Sequence, residues 1–156
     1  MKRKVIILTL SVLVVVGSNL FSWGIGASFG IDALGGLPGQ NVLLSVQFPK
    51  LPILWGIGAH ANGNSYNLGV TADWWLLNQS LGGPVNIYIG PGLYLALPTP
   101  FEFGARLPIG LNVFPVNFLE LFIEAAPALV LVSSYSGIQI PNFRLQGALG
   151  LRFWFR

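Results

Sequence analysis

Few residues of this chain could do chemistry, and each candidate set can be weighed on its spacing. Beyond residue 22 there are five acids (Asp32, Asp73, Glu102, Glu120, Glu124), five bases (Lys50, Arg106, Arg144, Arg152, Arg156) and one histidine, His60. Glu120 and Glu124 would be the pair for general acid–base work. Four residues apart on an extended strand, their backbones stand ~13 Å apart, beyond the ~5–9.5 Å that paired glycosidase carboxylates need. His60, near one rim with Asp32 and Ser65 on other strands, is the set a lipid hydrolase or acyltransferase would use, yet no nucleophile motif accompanies it. A lone histidine with no second strong ligand also gives no zinc site. Gly24, Gly26 and Gly30 copy part of a nucleotide fingerprint, but they lie in a strand with no following helix, so the match is spurious. These residues predict no catalytic set, no cofactor and no bound metal.

What the polar residues do mark is a side. From Trp23 to Phe155 nearly every charged residue shares an alternation phase with Gly, Ser and Asn, and the other phase is Leu, Ile, Val, Phe and Trp. Phe103, Ala105, Leu107, Ile109, Leu111 and Val113 alternate with Glu102, Gly104, Arg106, Pro108, Gly110 and Asn112. Period two is the strand period, because successive side chains leave a strand on opposite faces.

Composition narrows the class. The chain is 53% apolar and 8% charged, whereas soluble domains carry roughly 25% charged residues. With 20 Gly and 11 Pro, a long helical bundle is excluded. Lys2, Arg3 and Lys4, then an apolar run over 5–16 and a small, polar stretch over 17–22, predict a secretory signal cleaved after Ser22. The apolar run falls short of the ~20 residues that span a bilayer. Without that segment the formal charge of +3 drops to zero, five bases against five acids, so nothing basic remains to attract nucleic acid. Cys is absent, which removes disulfides and thiolate metal sites.

Turn residues divide the rest into eight alternating segments, 23–33, 41–48, 53–61, 65–77, 85–97, 101–114, 119–132 and 143–155. Short connections make neighbours antiparallel. Segments of this length suit the ~9–11 residues of a tilted membrane strand. The bulky phase is too continuous and too aromatic to fit inside an eight-stranded barrel, whose interior only just holds side chains; the small Gly-rich phase fits it. The bulky phase therefore faces lipid, and the sheet must close so that every backbone group is paired. The expectation is an all-β, eight-stranded antiparallel up-and-down transmembrane barrel over 23–156.

Aromatic positions agree with two interfacial girdles. Trp23, Phe48, Trp55, Trp74 and Phe155 belong to one end, with Phe114 beside them; Tyr66, Phe103 and Phe143 belong to the other. Pro91, Pro108 and Pro127 fall inside strands, where each removes a ladder donor, and predict bulges or bends.

Hairpin registers bring charges together in the lumen. A turn near Asn117 places Glu124 opposite or one diagonal step from Arg106, and a loop centred on 137–138 places it close to Arg152. Inward charges in a membrane protein face a polar interior and pair. The expected feature is a structural Arg106–Glu124–Arg152 cluster that fills the barrel and holds its register. Trp75, Tyr88 and Tyr94, were they to line an open cavity, would instead suit a small ligand.

The last strand, Gly150-Leu151-Arg152-Phe153-Trp154-Phe155, resembles the C-terminal signal of bacterial outer membrane barrels, with Gly150 followed by Phe153 and Phe155 three and five places on. Ala148 stands where a polar residue is usual, and Arg156 follows the terminal aromatic. The resemblance implies that the barrel-assembly machinery reads this strand. Residues 106–111, 120–127 and 147–155 together resemble small outer membrane β-barrel proteins of spirochaetes, over about the last third of the chain. That implies an outer membrane barrel with no assigned activity and no catalytic residue. Both termini would lie in the periplasm and the loops near 34–40, 62–64, 98–100 and 133–142 outside. Those loops are short and nearly uncharged, against a dedicated adhesin, and the filled lumen argues against a porin. A structural or surface-interaction role is expected, with outer membrane lipid and the assembly machinery as partners. The rivals are a lipid-modifying enzyme and a carrier of a small hydrophobic ligand.

Overall fold

Alternation of bulky and small side chains is carried into three dimensions as eight staves around a narrow core. The computed structural model describes residues 23–34, 42–48, 51–62, 65–98, 101–134 and 142–155; the expected signal segment and most loop residues lie outside these. The described strands are β1 (Trp23–Leu34), β2 (Val42–Phe48), β3 (Leu51–Asn62), β4 (Ser65–Trp74), β5 (Leu77–Gly82), β6 (Val85–Ile89), β7 (Gly92–Leu97), β8 (Glu102–Arg106), β9 (Ile109–Val116), β10 (Leu119–Ser133) and β11 (Asn142–Phe155). Three staves are each interrupted once, so β4 continues into β5, β6 into β7 and β8 into β9. Neighbours run antiparallel in chain order, and pairing of β11 with both β10 and β1 closes the sheet. The fold is a closed, eight-stranded antiparallel barrel.

One rung can be followed around it. Gly24 pairs with Gln47, Gln47 with Leu54, Leu54 with Asp73, Asp73 with Gly92, Gly92 with Arg106, Arg106 with Ala128, and Ala128 with Arg144. The next residue, Leu145, pairs with Leu34, so a circuit begun at Gly24 returns roughly ten residues further along β1. Such a stagger tilts the staves and fixes the barrel's width. It also explains why residues far apart in sequence, such as Asp73 and Arg106, share a level inside.

The interruptions follow the prolines expected to bend strands. The amide of Trp74 donates to the Pro91 carbonyl at 2.8 Å, that of Gly90 to Pro108 at 3.3 Å, and that of Leu107 to Pro127 at 2.9 Å. Each proline accepts from the preceding stave yet has no N–H to return, so a diagonal seam of one-way bonds crosses four neighbouring staves. Pro91 and Pro108 break their staves, whereas Pro127 stays within β10, paired with Leu145. Between the pairs Asp73–Gly92 and Leu77–Ile89 the β4–β5 stave carries one extra residue, a bulge. The bulge resets the alternation, which leaves adjacent Leu76 and Leu77 both exposed. Gly82 and Gly83, with φ of 125° and 59°, turn β5 into β6 in a region closed to most side chains.

Burial is inverted relative to a water-soluble protein. The largest outward side chains are apolar, among them Phe29 at 61%, Ile57 at 63% and Ile123 at 59% exposure. Buried positions hold Ser28, Ser45, Gln47, Thr71, Asp73, Glu102, Arg106, Asn112, Glu120, Glu124, Gln146 and Arg152. Trp55, Trp74 and Phe48 are exposed near the end that carries both described termini, where Trp23 stacks on Phe155 with ring centroids 4.6 Å apart.

Candidate functional site

The inward face gathers its charges into three levels along the barrel. Toward the 98–101 end, Arg144 of β11 donates from Nη2 to Glu102 Oε1 of β8 at 2.5 Å, reaching across β10. At mid-height Arg106 ends β8 and its guanidinium meets three staves. Its Nε lies 3.1 Å from Asp73 Oδ1, its Nη1 donates to Gln146 Oε1 at 2.8 Å, and its Nη2 pairs with Glu124 Oε1. Tyr88 donates its hydroxyl to the other Glu124 oxygen at 2.9 Å. Nearest the termini, Glu120 takes three donors: Arg152 Nη1 at 2.8 Å, Trp154 Nε1 at 2.6 Å and Asn112 Nδ2 at 2.6 Å.

Small residues make these meetings possible. Arg106 and Glu124 are not on one rung; Arg106 faces Ala128, and Glu124 faces Gly110. Two long side chains close the gap over Ala126 and Ala128, which are buried and leave room. Gly92 stands between Asp73 and Arg106, and a Cβ there would overlap the Asp73 carboxylate. Gly110 serves Tyr88 in the same way, because the phenol ring occupies the space a Cβ would take.

An aromatic column joins the lower two levels. Trp75 stacks on Tyr88 with centroids 4.3 Å apart, and the Arg152 guanidinium lies over the Trp75 and Phe122 rings at 5.0 and 4.6 Å. Arg152 Nε and Nη2 have no hydrogen-bond partner among the described residues, so π faces stand in for acceptors there. Arg152, Tyr88 and Glu120 are fully buried.

The expectation that Glu124 bridges both arginines gives way to two separate centres. Arg106 and Glu124 are brought together, with Asp73 and Gln146 added; Arg152 is opposite Glu120, and Glu124 is opposite Ala148. The β10–β11 register differs by four residues from the one that joins Glu124 to Arg152, an even step that leaves every side chain on its expected face. Glu120 and Glu124 both lie on β10, each held by its own arginine. Asp73, Tyr88 and Gln146 were absent from the expected cluster; their inward phase was the one signal that could have included them. The side chain of His60 lies outside the described residues. Gly150 faces inward against Ser28 and Phe122, while Phe153 and Phe155 are exposed on the outer wall.

Among the described residues the lumen is packed. Trp75, Tyr88 and Tyr94 are buried side chains that fill it rather than line an opening. The internal cavity beside Asp73, Arg106, Glu124 and Gln146 measures about 20 Å³, room for about one water. Among the described residues four inward carboxylates face three guanidiniums, and the surplus falls on Asp73 and Glu124, which share Arg106.

No protein-family model matches the chain, and no curated protein matches it. Among solved structures, the crystal structure of Neisserial surface protein A (NspA) matches with a TM-score of 0.48 and 16% identity, covering 85% of this chain and 96% of that one.

Proposed function

We propose that this chain is a small bacterial outer membrane barrel with a sealed lumen, serving a structural or surface-interaction role rather than conducting solutes. The observation that carries this reading is the inversion of the wall: exposed Phe29, Leu44, Ile57 and Ile123 outside, ion-paired Arg106, Glu124, Glu120 and Arg152 inside. Only hydrocarbon makes such an outer face favourable, and only a filled polar interior tolerates such charges. The charge levels act as internal cross-links, tying β4, β8, β10 and β11 at mid-height and β9, β10 and β11 below.

Residues 1–22 would serve as the cleaved export signal, and the last strand, with Gly150, Phe153 and Phe155, as the segment read by the assembly machinery. The resemblance of the last third of the chain to spirochaete barrels supports that placement. The reading includes no catalytic step, no cofactor and no nucleic-acid partner.

The test is to refold the protein in liposomes and planar bilayers. A folded band of faster, heat-sensitive gel mobility without steady conductance is expected. A steady aqueous conductance would overturn the sealed lumen. Acyl transfer or lipid hydrolysis that disappears in His60→Ala would overturn the non-enzymatic role.

A further inference from the structure

The outer wall is not evenly covered. Where β8 gives way to β9, next to Pro127, a groove of about 260 Å³ opens on the outward face, lined by Ala105, Arg106, Leu107, Pro127, Ala128, Leu129 and Phe143, almost wholly through apolar atoms. Leu129 is paired with Ala105 on one side and Phe143 on the other. Ala105 and Pro127 are smaller than Leu107, Leu129 and Phe143 around them, so the floor is low between taller walls. Phe143, at 73% exposure, forms a projecting rim. The floor includes the last step of the proline seam, where the Leu107 amide donates to Pro127 and no N–H returns.

We propose that this groove is a binding site for one hydrocarbon chain of a membrane lipid, laid against the seam. The inference rests on the reading of the wall as lipid-facing. The groove is continuous with the apolar belt, so hydrocarbon rather than water or a polar partner meets it. An unfilled depression would forfeit the dispersion contacts that its lining could make. A chain lying between Phe143 and Leu107 restores them and covers the last step of the proline seam. The site selects for chain fit and not for a headgroup, because the lining offers almost no polar atoms.

The experiment is native mass spectrometry of the refolded barrel, released from liposomes of dipalmitoyl phosphatidylethanolamine into mild detergent. The wild-type barrel should retain a single lipid. Ala105→Trp fills the groove from the outward face, and displacing even two methylenes should lower retention about ten-fold. Ala59→Trp, an exposed position on β3 on the opposite side of the barrel, should retain lipid as the wild type does. Phe143→Ala removes a rim side chain that is 73% exposed, and should also weaken retention. Wild-type protein that inserts but retains no lipid, or retention unchanged in both Ala105→Trp and Phe143→Ala, would overturn the site. Failure of the wild type to insert into liposomes would instead sink the lipid-facing reading beneath it.

Discussion

Asp73 and Arg106 lie on one rung of the barrel, two staves apart, with only Gly92 between them. Their ion pair, 3.1 Å from Nε to Oδ1, passes through the space where any other residue would place a side chain. Gly92→Ala should therefore destabilise the barrel by ~1–3 kcal/mol, the usual cost of overpacking. Urea unfolding in liposomes measures it. In an Asp73→Ala background the same change should cost much less, since the overlapping carboxylate is gone; an equal cost in both backgrounds would show that the clash lies elsewhere.

Arg106 and Arg152, two of the three described inward arginines, belong to different centres. Truncating Glu120 leaves Arg152, Trp154 and Asn112 without their common acceptor, and should cost ~3–5 kcal/mol, as for other buried pairs broken on one side. In double-mutant cycles the Glu120–Arg152 coupling should be large. The Glu124–Arg152 coupling should stay within about 0.5 kcal/mol, the level of independent sites. A larger value for the second cycle would restore the single three-residue cluster.

The surplus carboxylate can be located by substitution. Glu124 holds Arg106 and accepts the Tyr88 hydroxyl, whereas among the described residues Asp73 meets Arg106 alone. Removing one of two like charges that share a guanidinium also relieves their repulsion. Asp73→Asn should stay within about 1 kcal/mol of the wild type, and Glu124→Gln should cost ~1–3 kcal/mol through its lost charged hydrogen bonds. The reverse order in urea midpoints would contradict this division of roles.

Trp75 bridges the two lower levels, stacked on Tyr88 and under Arg152. Trp75→Leu keeps an apolar group but loses both ring contacts, and should cost ~2 kcal/mol or more. Trp75→Phe should recover much of that loss. Equal effects of the two substitutions would mean that volume, not the aromatic faces, matters at this position.

How far the sequence reaches is seen at three places. The phase of Arg106, Glu124 and Arg152 follows from alternation alone, because period two assigns each side chain a face. The Asn117 turn also sets the β9–β10 register, and Glu124 does face Gly110 across it. The third place is the β10–β11 hairpin, where a loop centred on 137–138 brings Glu124 close to Arg152, whereas Glu120 is the residue opposite Arg152. Any even slip keeps every side chain on the same face, so alternation cannot separate Glu120–Arg152 from Glu124–Arg152. The sequence by itself determined a closed, inverted eight-stranded barrel, because lipid allows no open edge and no unpaired inward charge. Only the tertiary structure decided which charges meet, because those partners depend on the stagger accumulated around the barrel and on small residues such as Gly92 and Ala128 that leave space between distant staves.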